Sequence, residues 1–183
     1  FEMLASYARF DLGKSFLQNK DVWSLIKEKL PVSISLGVWT FLVSYLVSVP
    51  LGIAKAVREG SRFDTLTTGI VLLGYAIPGF VLGLLLIVLF AGGSFLDWFP
   101  LRGLTSDNWD ELSWTARIAD YFWHLALPLT CLVIGSFATI TMLTKNTFIE
   151  EIRKQYVLVA RAKGLAQRRV LYKHIFRNAM IPL

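Results

Sequence analysis

The stretch TLTTGIVLLGYAIPGFVLGLLLIVLF, residues 65–90, contains no Asp, Glu, Lys or Arg. An apolar run longer than about 18 residues can cross the hydrocarbon core of a bilayer as a helix, because a helix satisfies its own backbone polar groups there. Ile77, Pro78 and Gly79 stand in the middle of this run. Proline removes a backbone hydrogen bond and crowds the preceding turn, so the span is predicted to bend at Pro78.

Two further runs flank it. Residues 32–56 are uncharged until Lys55. As a helix they reach roughly 37 Å, enough to cross a core of about 30 Å with some tilt. Pro31 precedes this run, where a missing N–H costs little, and Pro50 and Gly52 predict a second bend near its far end. Residues 122–143 form a third run, with Pro128 in its first turns. The predicted fold is all-α: a polytopic transmembrane helical bundle, three of whose spans lie in this stretch of chain.

Composition agrees. Hydrophobic residues make up 55% of the chain and charged ones 17%, against roughly 25% charged in soluble domains. The net charge of +6 is unevenly placed. Residues 145–183 carry Lys145, Arg153, Lys154, Arg161, Lys163, Arg168, Arg169, Lys173 and Arg177 against Glu150 and Glu151. The loop at 91–121 instead has Arg102 and Arg117 against Asp97, Asp107, Asp110, Glu111 and Asp120. Lys and Arg collect on cytoplasmic flanks. The segment 145–182 and the turn around Arg58 and Arg62 are therefore expected inside. Residues 1–31 and the loop 91–121 are expected outside, which predicts a further span before Phe1.

Several motifs carry no chemistry. Ala8-Arg9-Phe10-Asp11-Leu12-Gly13-Lys14-Ser15 fits a relaxed nucleotide-loop pattern, but Phe10 and Leu12 are bulky, Asp11 would repel phosphate, and no apolar strand precedes it. Any ATP hydrolysis must then occur on another chain. Cys131 lies alone in an apolar run, and Asp120 and His124, four apart at a span's outer edge, read as interfacial polar residues. Neither catalytic constellation nor metal-ligand spacing appears, so the chain is not expected to be an enzyme or to bind a cofactor or metal. Gly79 and Gly83 permit close helix approach, within the chain or against another subunit.

The 145–183 segment is the informative one. Phe148, Ile152, Tyr156 and Val159 fall at helical spacing, so the third span should continue as an amphipathic helix. Ala160 and Ala162 precede Gly164, where a helix can end or turn. A second amphipathic stretch runs through Val170, Leu171, His174 and Ile175. The result is a basic protrusion with a small-residue tip. Physics alone leaves two occupants open, a partner protein or an anionic lipid surface. Nucleic acid is not indicated, since no recognition module is present.

The residues Tyr156-Val157-Leu158-Val159-Ala160-Arg161-Ala162-Lys163-Gly164, followed by Arg177-Asn178-Ala179-Met180-Ile181-Pro182, resemble the EAA loop of bacterial ABC importer permeases. The form ARAKG…RNAxIP is similar to that of the dipeptide/oligopeptide group, although Ala160-Arg161-Ala162 stands where the loop's namesake has Glu-Ala-Ala. Leu30 to Leu36, Val49-Pro50-Leu51-Gly52-Ile53 and Gly74-Tyr75-Ala76-Ile77-Pro78 match the same group. Phe90 to Ser94, Phe99 to Leu104 and Met142 to Asn146 resemble the branch that imports peptides and microcin C. The resemblance implies a multi-pass protein of the bacterial inner membrane with a second permease subunit, a cytoplasmic ATPase that uses ATP and Mg, and a periplasmic or extracellular peptide-binding protein. It also implies that Val159, Ala160, Arg161, Ala162, Lys163 and Gly164 couple to the ATPase. Pro50 and Pro78 are then candidate bends of the pathway, and Trp98, Trp109 and Trp114 candidate docking residues for the binding protein.

Overall fold

The computed structural model describes Tyr7, Arg9, residues 11–93 and residues 95–183. Ala8 and Phe10 of the rejected nucleotide-loop segment, and Ser94 of the 90–94 motif, lie outside the described residues. The helices are α1 (Val22–Val57), α2 (Arg62–Ala76), α3 (Gly79–Phe90), α4 (Trp114–Ile152), α5 (Gln155–Ala162) and α6 (Gln167–Arg169). A π-helical stretch, Val170–Ile175, follows α6 and leads into α7 (Phe176–Ala179). Among the described residues the only strand-like pairing is an isolated bridge between Lys14 and Asp21.

Among the described residues two helices, α1 and α4, are long and apolar enough to cross a membrane. Together α2 and α3 would make a third span, bent by 86° at its break. The bend follows from Pro78. Ile77 is extended, with φ −83° and ψ 118°, because a following proline disfavours the helical region.

The helices outrun the apolar runs. α1 begins at Val22, where Asp21 caps it: the Ser24 amide donates to the Asp21 carboxylate at 3.2 Å. Pro31 therefore sits inside α1 rather than at its start, and α1 continues through Pro50 to Val57. α4 begins at Trp114, with the Ser113 hydroxyl accepting from the Ala116 amide at 3.4 Å, and it ends at Ile152. Hydropathy marks only the turns fit for hydrocarbon. Capping residues and the turns beyond carry no such signal.

Contacts group residues 1–39 and residues 40–183 into two compact units. In the first, a tight turn pairs Ser15 with Lys20 (2.9 Å) just before α1. In the second, α1 crosses α4 at Gly52. A Cβ built on Gly52 would lie 2.5 Å from the Thr144 Cβ and 2.8 Å from the Thr141 carbonyl oxygen. Hydroxyls bridge the same crossing: Ser44 and Ser136 are 3.0 Å apart, and the Ser48 hydroxyl donates to the Phe137 carbonyl at 3.4 Å. Small side chains let the backbones approach, and short polar ones tie them.

Of the Gly79 and Gly83 pair, Gly83 faces α4, whereas a Cβ on Gly79 would meet nothing within 4 Å. A Cβ on Gly83 would lie 3.6 Å from the Cys131 sulfur of α4, and the Cys131 thiol donates to the Gly79 carbonyl at 3.0 Å. Elsewhere α2 and α3 leave Leu66, Ile70, Leu73, Phe80 and Leu84 exposed. Such an outward apolar surface is at home against lipid tails, which are as apolar as leucine.

Candidate functional site

The 145–183 segment is anchored before it is presented. Phe148, in the last turns of α4, is fully buried. Around it gather Val49, Ile53 and Ala56 of α1, Val157 and Ala160 of α5, and the buried Val170, Ile175 and Ala179. The π turn has a role here. Its i→i+5 hydrogen bonding stacks residues five apart, and Val170 and Ile175 are both 1% exposed. Phe176 adds an edge-on ring contact with Phe148, at 6.0 Å between centroids.

Polar bonds tie the two motif halves together. The Tyr156 hydroxyl donates to the Glu151 carboxylate at 2.7 Å and accepts from the Asn178 amide at 3.4 Å. Burial and the Glu151 carboxylate together raise the Tyr156 pKa, so the phenol keeps its proton. Lys154 donates to the same carboxylate, and this bond holds its ammonium pKa above the usual range. Residues 156 and 178 lie far apart in sequence, yet both serve one small network.

α5 ends in a glycine turn. Gly164 has φ +76°, a left-handed conformation that glycine adopts without strain. The Gly164 amide donates to the Arg161 carbonyl at 2.9 Å and the Leu165 amide to the Ala160 carbonyl at 3.3 Å. That pair of bonds is a Schellman cap. It reverses the chain after α5 and leaves the tip free: a Cβ on Gly164 would meet nothing within 4 Å.

Of the predicted coupling residues, Val159, Arg161, Ala162, Lys163 and Gly164 are exposed, whereas Ala160 faces inward at 9% exposure. Leu158, not singled out in the sequence, is exposed beside Val159, at 58% and 53%. The surface thus offers two apolar side chains, two cations and a small-residue turn on a helix whose other face is locked.

A charged network that no sequence motif marks ties α1, α2 and α4 together. Lys55 of α1 is fully buried and donates to the Asp64 carbonyl (2.9 Å), Thr67 (2.8 Å) and Thr68 (2.7 Å). Its ammonium also lies 3.0 Å from the Asp64 carboxylate. Lys145 of α4 donates to both oxygens of that carboxylate, at 2.8 and 2.7 Å. Lys55 and Asp64 flank the α1–α2 turn, but their link to Lys145 spans 81 residues, a pairing no local pattern reveals.

The three tryptophans of the 91–121 loop occupy separate places. Trp98, 56% exposed, packs against Phe90 at 5.7 Å. Trp109 is half-buried beneath the Arg117 guanidinium, at 5.8 Å. Trp114 opens α4 and is 79% exposed. Asp120 fastens the loop to α4, accepting from the Ser106 amide (2.9 Å) and the Ser106 hydroxyl. Next to it, the His124 ring Nδ1 bonds the Asp120 carbonyl at 2.9 Å. Pro78 stands at the α2–α3 bend, and Pro50 lines an apolar groove of about 680 Å³ with Phe41, Leu46, Tyr172 and Phe176.

Residues 48–183 match the family described as binding-protein-dependent transport system inner membrane component. The chain is 63% identical over 180 residues to the peptidoglycan transport system permease protein YejB of Agrobacterium fabrum, covering 98% of this chain and 50% of that protein. It is 57% identical to the inner membrane ABC transporter permease protein YejB of Escherichia coli O157:H7, covering 99% of this chain and 50% of that protein. Against the oligopeptide transport system permease protein OppB of Salmonella typhimurium the identity is 30%, with 100% and 55% covered. The chain spans about half the length of the curated relatives it matches.

Proposed function

Because the chain belongs to the binding-protein-dependent transport inner membrane component family, we propose that it is part of the permease subunit of an ABC importer for peptides or peptide-bearing cell-wall fragments. It is a membrane-embedded protein of the bacterial inner membrane. ATP would be hydrolysed, with Mg, on a separate cytoplasmic subunit. A YejE-like second permease would complete the pathway as a heterodimer, and an external peptide-binding protein would deliver the cargo.

One observation carries the reading: an anchored helix, α5, whose outward face and glycine-capped tip are open to a partner. ATPase closure would push on this face, and the spans would rock between outward- and inward-open states. The 86° bend at Pro78 supports the reading of Pro78 as a bend of the path that the cargo would take. The test is the full-length permease, co-expressed with candidate ATPase and second permease and reconstituted in proteoliposomes. Retention of the ATPase and peptide-stimulated ATP hydrolysis are expected. A permease that binds anionic vesicles but retains no ATPase would instead support a lipid-binding role for the basic segment.

The loop 91–121 is the proposed dock for the binding protein, with exposed Trp98 and Trp114 as apolar anchors and Trp109 held by Arg117. Buried aromatic anchors dominate protein interfaces. Deleting residues 107–114 should weaken capture of the binding protein by about tenfold or more, measured on the reconstituted complex. Unchanged affinity would reject the dock.

A further inference from the structure

The charged cluster at the ends of α1, α2 and α4 is asymmetric. Lys55 is saturated by its own hairpin: the Asp64 carbonyl, Thr67, Thr68 and the Asp64 carboxylate surround it, and none of its side chain is exposed. This clasp locks α1 to α2. Lys145 has a different role. Both its bonds go to the Asp64 carboxylate, at 2.8 and 2.7 Å, and it is 14% exposed against 7% for Asp64. A second tie between the hairpin and α4, Arg153 to Glu59 at 3.0 Å, is open to solvent at 68% and 44%, and an exposed pair of this kind holds little.

Lys145 sits three residues before Phe148 on α4. Phe148 is fully buried and shares one hydrophobic cluster with Val157 and Ala160 of α5. The buried cluster under α5 and the Lys145–Asp64 pair are therefore joined through one stretch of α4, residues 145–148. Asp64 lies in the first turn of α2, whose far end meets the 86° bend. We propose that the Lys145–Asp64 ion pair is the link that passes motion of the α5 protrusion to the bent α2–α3 pair, with Lys145 as a positioning residue for coupling. The proposal rests on the importer reading above.

A purely structural role and a coupling role separate in the ratio of peptide moved to ATP hydrolysed. Lys145→Met keeps most of the side-chain length and removes the charge, while Asp64 retains Lys55 as its counter-ion. In the reconstituted full-length complex, K145M should still retain the ATPase and hydrolyse ATP. Peptide uptake per ATP should fall about tenfold or more, and Lys145→Arg should restore it. Wild-type coupling in K145M overturns the proposal. If K145M does not assemble, Lys145→Gln decides, since it keeps a polar side chain in the site but removes the charge of the ion pair. An assembled but uncoupled K145Q supports the link, and a K145Q that is fully coupled or does not assemble overturns it. A wild-type complex without peptide-stimulated hydrolysis would reject the importer reading itself and this link with it.

Discussion

Gly52→Leu is expected to prevent α1 and α4 from packing, with a loss of about 3 kcal/mol or more. The reason is geometric. Even a Cβ at this position would sit 2.8 Å from the Thr141 carbonyl oxygen and 2.5 Å from the Thr144 Cβ. A backbone oxygen cannot turn aside as a flexible side chain can, so the helices must separate. Separation would also strain the Ser44–Ser136 contact and the Ser48 bond to Phe137. Gly52→Ala should cost less, about 1–3 kcal/mol. Thermal unfolding of the full-length permease in detergent is the check. The leucine variant should unfold well below the wild type or fail to yield monodisperse protein. Leucine at 52 with wild-type stability would mean that this crossing does not exist as described.

The second large effect is at Asp64. Asp64→Ala removes the carboxylate shared by Lys55 and Lys145 and leaves a fully buried ammonium without its counter-ion. Breaking a buried pair from one side costs about 3–5 kcal/mol, because the remaining charge stays desolvated. The variant also loses the carboxylate that accepts from the Gly60 amide at 3.1 Å in the α1–α2 turn. Lys145→Met should cost much less, since Asp64 keeps Lys55. The same unfolding assay should rank D64A well below K145M. Equal stabilities would contradict the asymmetric cluster.

The sequence made the outline legible where local physics decides it. The uncharged run at 65–90 and its Ile77-Pro78 break need only hydropathy and proline sterics, and both appear as α2, α3 and the bend between them. Gly164 was legible because a small-residue helix end next to glycine has few other conformations. The continuation from α4 into α5 was legible only in part. Phe148 and Val157 both face the core, but the chain breaks between Ile152 and Gln155, where Tyr156 and Lys154 converge on Glu151.

What stayed hidden depends on distant partners. In sequence, Lys55 is simply the first charge after an apolar run. Only the fold brings Lys145 to Asp64 and shows that Lys55 is buried rather than interfacial. Gly52 was noted for a bend beside Pro50, whereas its use is the close crossing with Thr141 and Thr144. A lone glycine gives no sign of which helix will approach it. The inward turn of Ala160 is hidden for the same reason: α5 has two small-residue faces in sequence, and the packing of Phe148 selects one.

If the proposed function is right, an ATPase bears on the glycine-capped tip of α5. Gly164 is the place to test it, because only the left-handed backbone, and no neighbouring atom, opposes a side chain there. A side chain there meets nothing of its own chain within 4 Å, and aspartate is among the residues that tolerate left-handed backbone. Gly164→Asp should therefore fold and insert as the wild type does. In the reconstituted full-length complex, normal insertion is expected, with peptide uptake per ATP reduced about tenfold or more. Wild-type uptake at wild-type ATP cost would contradict it.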